Sequence, residues 1–152
     1  MKRNFNLLSL VIVLISTMAF TSPQATSPFT GTWKGTLTQP SGKGLVSSYP
    51  FMMKVEQVEN TVTGYTRLDI KKTDYFAVMT FKGTVSGNTL NFQEDTKIYN
   101  QKTTGLMRWY IKKGHLEYNT TTQTLNGTWQ VDDDNDKGAI TLTRTEDVLK
   151  LN

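Results

Sequence analysis

The residue types that most enzyme chemistry requires are scarce in this chain. It contains one histidine, His115, and no cysteine. A Ser-His-acid triad needs a histidine, a multi-histidine metal site needs several, and thiol chemistry needs a cysteine. His115 directly follows Gly114, which predicts a solvated turn residue that titrates but does not catalyse. We therefore predict no catalytic residue, and an enzyme is the least favoured class of function.

The densest group of charges lies between Asp132 and Gly138, which reads DDDNDKG. Alternate oxygen ligands before a glycine turn are typical of a calcium loop. Aligning Gly138 with the glycine of such a loop, however, puts Lys137 on a ligand position and Arg144 where the closing glutamate belongs. The sequence favours an acidic hairpin turn, with no metal and no cofactor, and keeps a bound calcium ion as the alternative.

Glu94 is one of several carboxylates in strand-like runs. It follows Leu90 and Phe92 at intervals of two residues, so it shares their face of the strand and is predicted to point inward. A single inward carboxylate is not the pair that acid–base catalysis needs. It would hold a polar group of a ligand, or pair with an inward arginine such as Arg67.

The elements that position these residues are strands. After residue 25, apolar residues never recur at helical spacing for three turns, and β-branched and aromatic residues alternate with glycine and asparagine turns. The class is all-β. The candidate strands are 31–39, 48–58, 61–70, 75–85, 89–95, 106–112, 115–121, 124–131 and 138–145.

Alternation assigns one apolar face to this sheet. The predicted inward residues are Tyr49, Phe51, Met53 and Val55, then Tyr75, Ala77, Met79, Phe81 and Gly83, and then Met107, Trp109 and Ile111. A sheet with one apolar face fills that face by closing on itself, and closure also removes the exposed edges. The short connections favour sequential antiparallel neighbours. We expect a single-domain antiparallel up-and-down β-barrel of 8–10 strands over residues 26–146, followed by a tail at 147–152, and a two-sheet sandwich is the alternative.

Lys112-Lys113-Gly114 is among the hairpin turns predicted between these strands. Strand counting predicts which connections share an end of the barrel. One end gathers 40–47, 71–74, 96–105 and 122–123, and the other gathers 59–60, 86–88, 113–114 and 132–137. Long loops around a barrel mouth are the usual place for binding, and tight hairpins make a closed floor. The first end is therefore the predicted mouth.

The tripeptide Gly-Thr-Trp occurs twice, ending at Trp33 and at Trp129. Strand counting places both tryptophans toward the tight end, where they are predicted to seal the barrel. The Phe-x-Gly-x-Trp motif at 29–33, followed by a meander of this length, resembles the opening of the calycin superfamily, which includes lipocalins, fatty-acid-binding proteins and avidins. That resemblance covers the mature chain in topology and one short motif. It implies that Trp33 packs under a basic side chain of a late strand, and Arg144 is the matching residue.

The resemblance has limits. The first two strands leave no room between them for the helical lid of fatty-acid-binding proteins. The residues with which avidins hold biotin are not found, so biotin is not predicted as a ligand.

The N-terminus predicts export. Lys2 and Arg3 precede an apolar run from Leu7 to Phe20 that is short for a membrane span, as in a signal peptide cleaved near residues 19–25. A retained anchor is the alternative. Without Lys2 and Arg3 the chain keeps 15 basic and 13 acidic residues, a net charge of +2, which gives no electrostatic reason to expect a nucleic-acid partner. We expect a periplasmic, secreted or cell-surface protein with no stable membrane span after processing.

The leading hypothesis is a lipocalin-like barrel that holds a small, mostly apolar ligand at its mouth. The predicted ligand-binding residues are Tyr49, Phe51, Tyr75, Met79, Phe92, Glu94 and Trp109. The competing hypothesis is a solid barrel without a cavity, which would bind a protein partner through the loops 40–47 and 96–105.

Overall fold

A computed structural model of the chain describes residues 27–41, 43–70, 74–100, 109–132 and 136–146. In this part of the chain eight strands form one closed barrel, in which each strand pairs antiparallel with the next and β8 returns to β1. The strands are β1 (Gly31–Ser41), β2 (Leu45–Val58), β3 (Thr61–Asp69), β4 (Phe76–Ser86), β5 (Thr89–Asn100), β6 (Lys112–Asn119), β7 (Thr124–Val131) and β8 (Lys137–Thr145). The predicted all-β, up-and-down barrel is confirmed. The predicted export segment 1–25 and the tail 147–152 lie outside the described residues.

The barrel closes because successive side chains alternate between a packed interior and the solvent. Tyr49, Phe51 and Met53 of β2 face inward, as do Met79 and Phe81 of β4. The packed cluster consists of Phe29, Trp33, Leu37, Phe51, Met53, Val55, Val62, Phe81, Val85, Leu90, Phe92, Leu116, Leu125, Trp129, Val131, Ile140 and Leu142. Apolar burial on this scale supplies the stability that disulfides supply in many exported proteins.

Glycines that share the phase of the inward side chains let neighbouring strands approach closely. A Cβ added at Gly35 would overlap the carbonyl oxygen of Thr141, and one added at Gly127 would overlap that of His115. A Cβ added at Gly83 would likewise overlap the carbonyl oxygen of Asn91. The backbone of the adjacent strand therefore fills the space that a side chain would need, which explains why glycine recurs in the middle of these strands.

The sequence-based interpretation of residues 112–114 as a turn is wrong. Lys112 and Gly114 lie within β6, and Gly114 pairs with Trp129 of β7. Residues 109–111 are not in a strand, and Ile111, predicted to face inward, is 45% exposed. Residues 106–108 lie outside the described part of the chain. Among the described residues β6 alone stands where the strands 106–112 and 115–121 were predicted, and every later strand runs in the opposite direction to the one predicted.

This change of direction redistributes the connections between the two ends. The turns 59–60, 87–88 and 120–123 share one end, here called the Trp33 end. The connections 42–44, 70–75, 101–111 and 132–136 share the other, here called the Trp129 end. The described residues of the segments 40–47, 71–74 and 96–105, all predicted for the mouth, lie at the Trp129 end, whereas 122–123 lies at the Trp33 end.

The Trp33 end is a packed floor. The carbonyl oxygens of the turn residues Asn60, Asn88 and Gln123 accept hydrogen bonds from backbone N–H groups of β4, β6 and β8. Phe29 is buried, its N–H donates to Gln57 Oε1 at 3.2 Å, and its carbonyl accepts from Trp33 Nε1 at 2.8 Å. The segment before β1 thus plugs this end.

We predict that Gly35→Ala destabilises the barrel by about 3 kcal/mol or more, at or above the upper end of what overpacking costs, because the Thr141 carbonyl cannot move without opening the β1–β8 ladder. Urea unfolding measures the loss. Gly87→Ala is the control: its added Cβ meets no atom within 4 Å, so that only the left-handed backbone angle, φ 58°, is penalised, by roughly 1–2 kcal/mol. Equal losses in the two variants would contradict the proposed role of Gly35.

Candidate functional site

A cavity of about 190 Å³ lies inside the barrel at the Trp129 end. Its walls combine apolar and aromatic side chains with a few polar ones. The lining residues are Leu37, Gln39, Tyr49, Leu68, Ile70, Trp109, Tyr110, Lys112, Trp129, Val131 and Asp136. They come from β1, β2, β3, β6 and β7 and from the segments that follow β3, precede β6 and precede β8. Such a mixture is typical of small-molecule sites, in which apolar walls bind and a few polar groups orient the ligand.

Trp129 forms one wall of the cavity in a fixed position. Its Nε1 donates to the carbonyl oxygen of Thr38 at 2.9 Å, across β8 and the seam between β8 and β1. Gly138, its direct neighbour on β8, has no side chain, and a Cβ there would meet Trp129 Nε1. The hydrogen bond therefore fixes the orientation of the indole, and the absence of a side chain at Gly138 leaves room for it.

A buried ion pair lies beside this cavity. Glu94 on β5 is 1% exposed and Lys112 on β6 is 6% exposed. Glu94 Oε2 contacts Lys112 Nζ at 2.7 Å and accepts from the Lys112 backbone N–H at 3.0 Å, while Glu94 Oε1 accepts from Thr66 Oγ1 at 2.5 Å. Lys112 Nζ also donates to the carbonyl oxygen of Tyr110 at 3.3 Å. Each charge is thus both neutralised and hydrogen-bonded, as burial requires.

The ion pair occupies the place where β5 leaves β6. Their ladder ends at Gln93 and Lys113. At the next rung the Glu94 carboxylate binds the Lys112 N–H, so a side chain replaces the missing backbone acceptor.

A bulge opposite this point bends β5. Phe81 of β4 pairs with Glu94, whereas Met79 pairs with Lys97, so β5 carries an extra residue there. The Thr80 hydroxyl supplies hydrogen bonds at this irregular pairing. It donates to the carbonyl oxygen of Thr96 at 3.2 Å and accepts from the Thr96 N–H at 3.1 Å. A bulge of this kind increases local twist and redirects a strand. Here it accompanies the separation of β5 from β6.

Trp109 contributes a buried donor with no acceptor. Among the described residues no hydrogen-bond partner is present for its Nε1, although the atom is shielded from solvent. Leaving such a donor unpaired costs about 1–3 kcal/mol. The other two indoles differ, because Trp33 donates to Phe29 and Trp129 donates to Thr38.

The predicted ligand-binding residues separate into four groups. Tyr49 and Trp109 line the cavity. Phe51, Met79 and Phe92 are buried, and Phe92 packs edge-to-face on Phe81 at 5.6 Å between centroids. Glu94 is buried as predicted, but it contacts Lys112 and not the cavity itself. Tyr75 is half-buried and is not part of the lining.

The sequence prediction missed Lys112, the basic residue of the cavity wall. It missed Trp129, Leu37 and Val131 as lining residues as well. A signal for Lys112 was present, because Lys112, Gly114, Leu116 and Tyr118 alternate in phase toward the interior. The pair Lys112-Lys113 before a glycine resembled a turn more than a strand, so the alternation was not extended to it.

The predicted seal of Trp33, Trp129 and Arg144 is divided between the two ends. Trp33 is fully buried at the Trp33 end, with the Arg144 guanidinium 4.6 Å from its ring centroid, the arrangement that the calycin resemblance implies. Arg144 also donates to the carbonyl oxygens of Thr30, at 3.1 Å, and Pro28. The placement of Trp129 at this end is wrong, because the predicted turn at 112–114 does not exist.

Other candidate residues have structural partners on the outside of the barrel. Arg67, considered as an inward partner of Glu94, instead pairs with Asp69 at 2.7 Å and lies 4.1 Å over the Phe76 ring. The hydrogen bond to Asp69 raises the pKa of Arg67, although burial opposes it. His115 is exposed in the middle of β6, not in a turn, and its Nδ1 contacts Asn91 Oδ1 at 2.8 Å.

The acidic loop is only partly described. Asp132 pairs with Lys113 at 2.7 Å, and residues 133–135 lie outside the described part of the chain. Within the described residues no group of three or more histidine or acidic side chains could hold a metal ion. The described residues also include no helix long and apolar enough to cross a membrane.

A larger groove of about 470 Å³ lies on the outer face of β4 to β7. Its polar side chains include Asn91, Gln93 and Gln130, and its charged ones are paired: Lys82 with Asp95 at 3.6 Å, and Lys113 with Asp132. We place the candidate site in the smaller inner cavity, because burial and a buried donor without a partner distinguish that cavity from a solvated surface.

Comparisons with known proteins add no family assignment. The sequence matches no protein-family model, and no curated protein shows significant sequence similarity to it.

We predict that Lys112→Met lowers the free energy of unfolding by about 3–5 kcal/mol, because it leaves the Glu94 carboxylate buried without its ammonium partner. The double variant Glu94→Gln, Lys112→Met should lose much less, since no charge remains buried. Urea unfolding at neutral pH measures both. Lys113→Met is the matched control, because its ion pair with Asp132 is exposed and contributes about 0–1 kcal/mol. A double variant as unstable as Lys112→Met would contradict the importance of the ion pair.

Proposed function

We propose that this protein is an exported binding barrel, similar to lipocalins in architecture, that holds a small, mostly apolar ligand at the Trp129 end. The observation that carries the proposal is the 190 Å³ cavity with its aromatic walls. Export is proposed from the N-terminal sequence, with a periplasmic, secreted or cell-surface location. The closed barrel and the packing of Arg144 on Trp33 support the architectural comparison.

The distribution of packing supports a site at one end. At the Trp33 end, Trp33 contacts Tyr118 edge-to-face at 5.5 Å, and Phe29 contacts the same ring at 5.6 Å. Beside the cavity, by contrast, the interior contains a buried ion pair and an indole donor without an acceptor. Polar groups are costly in a barrel that serves only as a solid core, so their concentration next to a cavity favours binding.

The size of the cavity limits the ligand. Sites for drug-sized molecules occupy about 300–1,000 Å³, whereas an apolar cavity of about 150 Å³ already binds benzene. A volume of about 190 Å³ therefore suits a molecule with one ring or a short chain, and not a long lipid.

Filling the cavity tests this function. Val131 is buried and lines the cavity, so Val131→Phe should occupy the space and abolish the binding of a one-ring probe such as ethylbenzene. Calorimetric titration measures binding directly, and the rise of the melting temperature of the wild-type protein with ethylbenzene concentration measures it independently. Melting without ethylbenzene shows whether the variant is folded.

Val58→Phe is the matched control. Val58 is 73% exposed at the Trp33 end, so this variant should bind ethylbenzene as the wild type does. Binding that survives in Val131→Phe would place the ligand elsewhere. If no one-ring probe binds to the wild type, the solid barrel acting through the segments 40–47 and 96–105 becomes the better proposal.

A further inference from the structure

We infer that the occupant of the cavity is an uncharged molecule that carries a hydrogen-bond acceptor, such as a carbonyl oxygen, on a one-ring body. This inference rests on the proposed binding function and specifies its ligand class. It follows from three properties of the cavity: its unused donors, its charge balance and its size.

Two donors adjoin the cavity without a full set of partners. The buried Trp109 Nε1 has no acceptor within the described part of the chain. Lys112 Nζ contacts Glu94 Oε2 and the Tyr110 carbonyl, which account for two of its three hydrogens. Both residues line the cavity. An acceptor placed there would complete bonds that the protein alone does not make, and each completed bond favours the ligand that supplies it.

The charges of the site disfavour an ion of either sign. Lys112 is already neutralised by Glu94 at 2.7 Å, so a ligand carboxylate would have to compete with a partner that is held by Thr66 as well. Asp136, also in the lining, adds a second negative charge. A cationic ligand would find the Glu94 carboxylate already paired with Lys112, and Asp136 is only half-buried, so that solvent screens its attraction for a cation. In a poorly solvated cavity an unneutralised charge is costly, so an uncharged ligand is preferred.

Four probes of one shape separate these possibilities: acetophenone offers a carbonyl, ethylbenzene has no polar group, benzoate is an anion, and 1-phenylethylamine is a cation at neutral pH. Calorimetric titration should find acetophenone the tightest. We expect its affinity to exceed that of ethylbenzene by about three- to ten-fold, the contribution of one hydrogen bond between neutral groups, and to exceed that of either ion by at least as much.

Trp109→Phe tests the unused donor. It removes the N–H and keeps an aromatic ring, so acetophenone should lose most of its advantage while ethylbenzene binds as before. Because the deleted donor has no partner, the melting temperature should fall less than in a variant that loses both part of an indole and a hydrogen bond. Trp33→Phe is the matched control at the other end: it breaks the bond to Phe29 and lowers stability, but it should not change the ratio of the two affinities.

Glu94→Gln tests the charge balance. Without its carboxylate partner the Lys112 ammonium becomes available, so the affinity for benzoate should rise at least ten-fold relative to acetophenone. If Glu94→Gln does not fold, the double variant Glu94→Gln, Lys112→Met provides the second measurement. That variant has neither charge, so acetophenone should keep the advantage over ethylbenzene and benzoate that the Trp109 donor provides, and benzoate binding as tightly as acetophenone would contradict the inference.

The outcomes distinguish the inference from the proposed function. Equal affinity of the wild type for acetophenone and ethylbenzene, or tightest binding of benzoate or 1-phenylethylamine, would overturn the inference and leave a binding barrel. An unchanged affinity ratio in Trp109→Phe would exclude the indole donor and overturn it as well. If none of the four probes binds, the proposed function fails with it.

Discussion

The contact between Glu94 and Lys112 is the interaction on which the organisation of this barrel depends. It joins β5 and β6 where their backbone ladder ends, and through Thr66 it ties both to β3. A charged pair inside a barrel of this size requires that each partner be neutralised and hydrogen-bonded, and the three contacts of the carboxylate meet that condition. The pair also marks a boundary. Toward Trp33 the interior is a packed core, and toward Trp129 it contains the cavity.

The two Gly-Thr-Trp sequences show how one local motif serves two purposes. Gly127 allows close approach of the His115 carbonyl, whereas Gly31 has a φ of 139° that favours glycine, and both indoles fill part of the interior. Trp33 lies under Arg144 and donates to the segment that plugs the barrel. Trp129 donates across the seam to Thr38 and forms a wall of the cavity. The location within the barrel, and not the tripeptide, decides whether the tryptophan seals one end or lines the site at the other.

Alternation in the sequence was sufficient to predict the barrel and the inward faces of β2, β4 and β5, including Glu94, because a strand with one buried face must repeat every two residues. It was not sufficient for Lys112. An inward lysine is acceptable only if its partner is known, and Glu94 is 18 residues away in the chain. The direction in which each strand runs is also difficult to predict, because one wrongly predicted turn at 112–114 reversed every later strand and placed Trp129 at the wrong end. The site was therefore harder to predict than the fold. It depends on a contact between residues far apart in the chain and on the number of strands that precede each residue, which decides the end of the barrel at which that residue lies.

The central claim is that the cavity beside the ion pair presents an unused donor, Trp109 Nε1, to an uncharged ligand. The three tryptophans of the chain give three indole N–H signals, so a proton–nitrogen correlation spectrum recorded during titration with acetophenone tests the claim most directly. We predict a downfield shift of the Trp109 indole proton as it gains an acceptor, and no change of the Trp33 indole, which is already bonded to Phe29. An unmoved Trp109 signal at saturation, or shifts confined to Trp33, would contradict the account.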